Sequence, residues 1–187
     1  MELHRLSGCA VLGVLLFRIW WGFAGSESAR FRSFVKGPKA VFAYARTLGR
    51  RLPSESHGHN PLGALSVLAL LFALAAQVGL GLFAVDVDGL ESGPLSHLVD
   101  FDTGRFCAEL HETVFNVLLV LIGLHLAAIA YYAVFKRQNL VRAMITGWQT
   151  FTGPAPSLRF APMGKALAGA LVAALVAWFV ARGLRLG

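Results

Sequence analysis

The chain has 187 residues, of which 56% are hydrophobic and only 14% charged, and its mean hydropathy is +0.63. A water-soluble domain of this length carries more charge, so the composition points to a polytopic membrane protein without a sizeable soluble domain. The net charge of +7 could suggest a nucleic-acid partner, but the distribution of that charge excludes it.

Four stretches are long and apolar enough to cross a bilayer: Leu6–Phe23, Leu62–Val85, Cys107–Tyr132 and Ala166–Ala181. The expected fold is all-α, a bundle of four transmembrane helices. The first stretch has almost no lead-in and ends in Ile19-Trp20-Trp21, an interfacial aromatic anchor. Its bulky flank is unlike a signal-peptide cleavage site. Arg30, Arg32, Lys36, Lys39, Arg46, Arg50 and Arg51 follow it. After Pro38, the residues Val41, Phe42, Ala45 and Leu48 recur at helical spacing, with Lys39, Arg46 and Arg50 toward another side. This predicts a short amphipathic helix on the membrane surface.

Pro53–Asn60 reads as a polar turn, and Pro61 opens the second span. That span holds one interior polar residue, Gln77, expected to hydrogen-bond a neighbouring helix or, less simply, to reach a quinone. The connection to the third span carries Asp86, Asp88, Glu91, Asp100 and Asp102 against Arg105 and reads as mostly irregular. Beyond the third span, which ends at Tyr131-Tyr132, lie Lys136, Arg137, Arg142, Arg159 and Lys165. Basic and acidic connections therefore alternate. By the positive-inside rule, loops 26–60 and 136–165 face the cytoplasm and loop 86–106 the periplasm of a cell inner membrane. The basic charge then serves topology and anionic headgroups of the lipid bilayer, with no nucleic acid involved.

Six histidines are present, and three fall at or within spans: His4, His111 and His125. His111 and His125 are fourteen residues apart. On an α-helix this leaves them about 40° from exact alignment and about 21 Å apart along the axis, on one face and near opposite membrane surfaces. Ionisable residues in a span are costly and mark function. A bis-histidine site needs imidazoles on two helices at one depth. His4 opens the first span and His111 the third, and both spans run outside to inside, so these two can grip one haem iron. Arg18 stands fourteen residues after His4, near the depth of His125, and a haem propionate there would supply the anion a buried arginine wants. Gly8, one turn below His4, leaves room for a flat macrocycle. His57 and His59 flank Gly58 in the polar turn and read as loop residues, and His97 as a solvated one. Cys9 and Cys107 form no CxxCH or CxxC motif, which argues against covalent haem, and their different depths predict free thiols.

His111-Glu112-Thr113-Val114-Phe115-Asn116 with Gly123-Leu124-His125 resembles the fourth-helix signature of the prokaryotic cytochrome b561 family, which includes the di-haem b subunits of nickel-iron hydrogenases. His4–Gly8, Leu16-Phe17-Arg18 and Trp21-Gly22 resemble that family's second helix, and Gly58-His59-Asn60-Pro61-Leu62-Gly63 the start of its third. Asn139-Leu140-Val141-Arg142 and Ile145-Thr146-Gly147-Trp148 resemble the segment after its fourth, so the likeness covers about residues 3–150. It implies two b haems, with His4 and His111 as one ligand pair and His125 in the other, joined to a histidine of the family's first helix. No such helix is present in this sequence. Three explanations stay open: a start placed too late, a truncated chain, or a true loss that leaves the inner haem absent or incomplete. The short lead-in favours a missing upstream segment. One complete haem b site is thus expected here, and a second if that helix is restored.

The organisation expected is a haem-binding bundle over residues 1–150, then a linker and C-terminal transmembrane helix over 151–187. The function expected is electron carriage between a quinone pool and a redox protein, such as a cytochrome c or a hydrogenase subunit, in a respiratory-type chain. A membrane-anchoring subunit of a hydrogenase-like complex and a haem-free transporter or scaffold are the alternatives.

Overall fold

The computed structural model describes residues 2–51, 58–88, 91–148 and 157–185. Seven helices follow in order: α1 (Glu2–Ala24), α2 (Phe31–Phe34), α3 (Pro38–Ala45), α4 (Pro61–Phe83), α5 (Phe101–Val134), α6 (Leu140–Thr146) and α7 (Met163–Ala181). Among the described residues there is no β-strand, only an isolated bridge between Val85 and Ser92. Helices α1, α4, α5 and α7 are the four long and apolar enough to cross a membrane. Their outward side chains are apolar and unburied, as at Phe72 (79% exposed) and Val120 (63%), which suits a surface solvated by lipid.

Each long helix lies where hydropathy places a span, with one difference. Helix α5 begins at Phe101, six residues before the apolar run. Its first turn holds Asp102, Thr103 and Arg105, which hydropathy does not register but which continue a helix well. Asp100 caps it: the carboxylate accepts the Thr103 amide at 2.8 Å and the Thr103 hydroxyl at 2.9 Å. At α4 the same task falls to Asn60, whose carbonyl accepts from the Gly63 amide at 2.8 Å, with Pro61 in the first turn. Helix α3 starts at Pro38, as expected. Most of the expected polar turn at Pro53–Asn60, His57 included, and the linker up to Pro156 lie outside the described residues.

Two helix pairs dominate the packing, α4 with α5 and α1 with α7, and α1 joins them through α4. Small residues set the approach of α1 and α7. Gly169 sits under the Trp20 indole, where a β-carbon would come within 2.2 Å of the ring, and Gly13 faces Ala177. Among its described residues, the connection from α4 to α5 is more ordered than an irregular loop. The Gly93 amide donates to Ala84 O at 2.7 Å, the Leu95 amide to Leu82 O at 2.9 Å, and Leu95 is buried. Arg105 ties the start of α5 back to Val85 O at 3.0 Å.

At the opposite end, α5 is fastened to the end of α3, to the segment after it and to the start of α4. The Tyr132 hydroxyl meets that of Tyr44 at 2.6 Å and accepts from the Asn60 amide at 3.0 Å. Tyr131 donates to Leu48 O at 2.7 Å. Cys9 and Cys107 are free thiols, as expected.

Candidate functional site

Helices α1 and α5 run the same way, each antiparallel to α4, and they approach through side chains. On this framework His4 in the first turn of α1 meets His111 in the third turn of α5. Their ring centroids are 5.9 Å apart and their planes 80° to each other. Each long helix thus contributes one imidazole at one level, although His111 lies deeper in its helix than a span beginning at Cys107 suggests.

His111 is held from α4. Its Nδ1 lies 2.8 Å from the Gln77 carbonyl and its Nε2 lies 2.9 Å from the Gln77 side-chain amide nitrogen. A carbonyl can only accept, so Nδ1 carries the proton and Nε2 keeps a lone pair, which accepts from the amide. A backbone carbonyl on the far nitrogen is the usual arrangement for a metal-ligating imidazole. The ring has space because residue 81 is glycine: a β-carbon there would fall 2.8 Å from Cε1 and 3.0 Å from Nδ1 of His111. Gln77 therefore bonds a neighbouring helix. Its Oε1 is buried and has no hydrogen-bond partner in the protein.

The donor set suits a metal held by a macrocycle. His4 and His111 are the residues that would hold such a group, each offering one imidazole at the same level. A β-carbon on Gly8 would meet nothing within 4 Å, so the flank of α1 below His4 is open. Among the described residues no three His, Cys, Asp or Glu side chains cluster into an all-protein metal cage. The orphaned Gln77 Oε1 adds an unused acceptor beside His111.

Toward the other end of α5, His125 Nδ1 is 3.3 Å from the Ser66 hydroxyl of α4. Arg18 reaches toward Ala29 O at 3.5 Å, with its guanidinium 5.1 Å from the Phe31 ring centroid. Phe31 contacts Phe34 at 5.9 Å, and Phe34 lies against His59 at 4.9 Å. Gly22 makes this possible, since any β-carbon there would collide with Phe31. Partial burial lowers the pKa of His59 below its ordinary 6.5, and the neighbouring charges of Arg18 and His125 lower it further. His59 thus belongs to a cluster with Arg18 and His125, where the sequence suggested only a loop residue. The available signal was its place immediately before the Asn60-Pro61 helix start, which fixes it relative to α4.

The family described as Prokaryotic cytochrome b561 matches residues 1–147. The chain belongs to that family. As a prokaryotic cytochrome b561 it is a multi-pass membrane b-type cytochrome of electron transport, and membership implies haem b. It is similar to the probable Ni/Fe-hydrogenase B-type cytochrome subunit of Azotobacter chroococcum mcd 1, with 24% identity over 168 residues, 82% of this chain and 69% of that one. The probable Ni/Fe-hydrogenase B-type cytochrome subunit of Azotobacter vinelandii is 23% identical with the same coverage. No solved structure gives a significant match to this cytochrome.

Proposed function

We propose that this cytochrome carries electrons between a quinone pool and a hydrogenase-type redox partner across the inner membrane. The meeting of His4 with His111 at 5.9 Å is the observation that carries the reading. Haem b, when bound, supplies a one-electron ferric/ferrous couple. His4 and His111 would hold its iron. Two imidazoles leave no open coordination position, which favours electron transfer over oxygen chemistry. The Gln77 carbonyl would fix the His111 tautomer. The Gln77 side-chain amide, which occupies the Nε2 lone pair in this structure, would turn away to free it for the iron, and Gly8 would leave room for the flat group. His125 would serve an inner haem as one ligand, with Arg18 offering its charge to a propionate. The bundle over 1–150 would be the haem-binding part and 151–187 its linker and final helix, with loops 26–60 and 136–165 cytoplasmic and loop 86–106 periplasmic. The names of the two Azotobacter relatives favour a hydrogenase-type partner over a cytochrome c.

The test is a reduced-minus-oxidised optical spectrum of the purified protein and of His4→Ala, His111→Ala and the double variant. Each single change should remove the same portion of b-type absorbance, and the double change should remove no more, because both ligands serve one iron. If both single variants keep full intensity, the ligand pair is wrong. If wild-type protein has no b-type spectrum, the haem reading itself fails.

A further inference from the structure

We propose that the junction of residues 46–51 with the end of α5 is a seat for the phosphate of an anionic phospholipid. From Ser28 to Arg51, and from Thr113 to Gly187, the sequence has no Asp or Glu at all. Glu27 and Glu55 border the first stretch, and the Glu27 carboxylate is engaged by the Arg159 amide at 3.2 Å. Among the described residues the ion pair found is Arg105 with Glu109, at the opposite end of the bundle.

The basic junction is also rigidly built. Lys136 is 5% exposed, and its ammonium is spent on backbone: it donates to Thr47 O at 3.1 Å and to Arg50 O at 2.5 Å. Tyr131 holds Leu48 O, and Arg51 lies over the Phe135 ring at 5.1 Å. These ties bring Arg50 and Arg51 beside the end of α5, where Arg137 is exposed. Arg137 adopts a φ of 52°, a left-handed conformation that glycine or asparagine ordinarily supplies at a helix end. The Gln138 amide closes the helix onto Tyr132 O at 3.0 Å around it. An arginine kept at a sterically costly position is what a charge-presenting site retains. Arg50, Arg51 and Arg137 are all exposed.

The apolar flank decides the kind of anion. Val134, at the end of α5, is 81% exposed, and Phe42, one turn before Arg46, is 71% exposed. A cationic ledge at the end of a spanning helix, with bare apolar side chains alongside, fits a phosphodiester carrying acyl chains better than a free phosphate.

The experiment uses the purified, haem-loaded protein in neutral detergent. Native mass spectrometry would follow the binding of dioleoyl phosphatidylglycerol and dioleoyl phosphatidylcholine. Wild type should prefer the anionic lipid. Arg51→Gln with Arg137→Gln should weaken its binding about thirty-fold, the effect of two lost surface cations. Arg51→Lys with Arg137→Lys should keep most of it, which guards against a folding defect, and Arg185→Gln should leave it unchanged. Equal binding of both lipids, or wild-type binding by the double glutamine variant, overturns the proposal. Displacement of the lipid by millimolar inorganic phosphate overturns the lipid as the source of the anion.

Discussion

Changing Gly81 to alanine tests the geometry of His4 and His111 without replacing either histidine. The new methyl would lie 2.8 Å from Cε1 and 3.0 Å from Nδ1 of His111. Carbon atoms settle at about 3.5–4.0 Å, so the ring or the helix must give by about 0.7 Å. The ring cannot swing freely, because Nδ1 is bound to the Gln77 carbonyl at 2.8 Å. Overpacking of this kind costs about 1–3 kcal/mol. Replacing a mid-helix glycine by alanine returns about 0.5–1 kcal/mol. The net loss of stability is therefore about 0–2.5 kcal/mol, centred on about 1 kcal/mol. If His111 holds the haem iron as proposed, the site suffers more, since a displacement of about 0.5 Å already spoils a preorganised group. Gly79, two residues away on α4, is the matched control, since a β-carbon there meets nothing within 4 Å. Thermal unfolding in detergent should rank Gly79→Ala above wild type and Gly81→Ala below it. Redox titration of Gly81→Ala should show a midpoint displaced by tens of millivolts or a lost fraction of b-type absorbance, and Gly79→Ala should show neither. The reasoning fails if Gly81→Ala titrates like wild type, or if Gly79→Ala is disturbed as much.

Tyr132→Phe should destabilise by about 1–3 kcal/mol, because it strips the Tyr44 hydroxyl and the Asn60 amide of a buried partner. Tyr44→Phe should cost less, since Tyr132 keeps Asn60, and the reverse order in thermal melts would contradict the network. Gly169→Leu should push α7 off Trp20 at a cost of about 1–3 kcal/mol, and Trp20→Ala should relieve it in the double variant, a coupling that a double-mutant cycle measures. Acid should loosen the start of α5. The Thr103 amide and hydroxyl hold the Asp100 carboxyl below its ordinary 3.8, so the folded state resists protonation more than the unfolded one. That cap is fully present above pH 3.8 and is lost as pH falls through the lower folded value. Amide exchange at Thr103 should quicken there, and Asp100→Asn should remove the pH dependence.

Hydropathy made the four spans legible because lipid solvation needs long apolar runs, whatever the tertiary contacts. It misplaced the start of α5 because Asp102, Thr103 and Arg105 lengthen a helix without lengthening a membrane core. The position of His4 at the start of its span made its approach to His111 legible, since depth is linear in sequence. The neighbours of that pair were not. Gln77 could be expected to bond another helix, but its partner depends on the rotation of α4 against α5. The clearance at Gly81 depends on the same rotation. Likewise nothing periodic links Tyr44 to Tyr132, 88 positions apart, or Lys136 to the carbonyls of Thr47 and Arg50.

The two histidines of α5 keep their relation to the other helices only if α5 can neither turn nor slide. A slip of one residue would turn the helix by about 100° and carry both imidazoles off their stripe. The middle of α5 offers little resistance, for Phe115, Leu119, Val120, Ile122 and Leu124 are all exposed. Beyond the packing on α4 and the Gln77 and Ser66 contacts, further restraint comes from the ends. Arg105 and the amide of Val85, which donates to Gly104 O, lock one end. Tyr131, Tyr132 and Lys136 lock the other through four hydroxyl or ammonium bonds to the segment from Tyr44 to Arg50. His111 lies seven residues from Gly104, and His125 lies six residues from Tyr131, so each histidine stands within two turns of an anchor. Directional polar bonds at the two ends thus act together with the Gln77 and Ser66 contacts of the imidazoles in setting their angular position. Loosening either anchor should therefore disturb the nearer histidine first, and a bundle held only by apolar contact could not fix that angle.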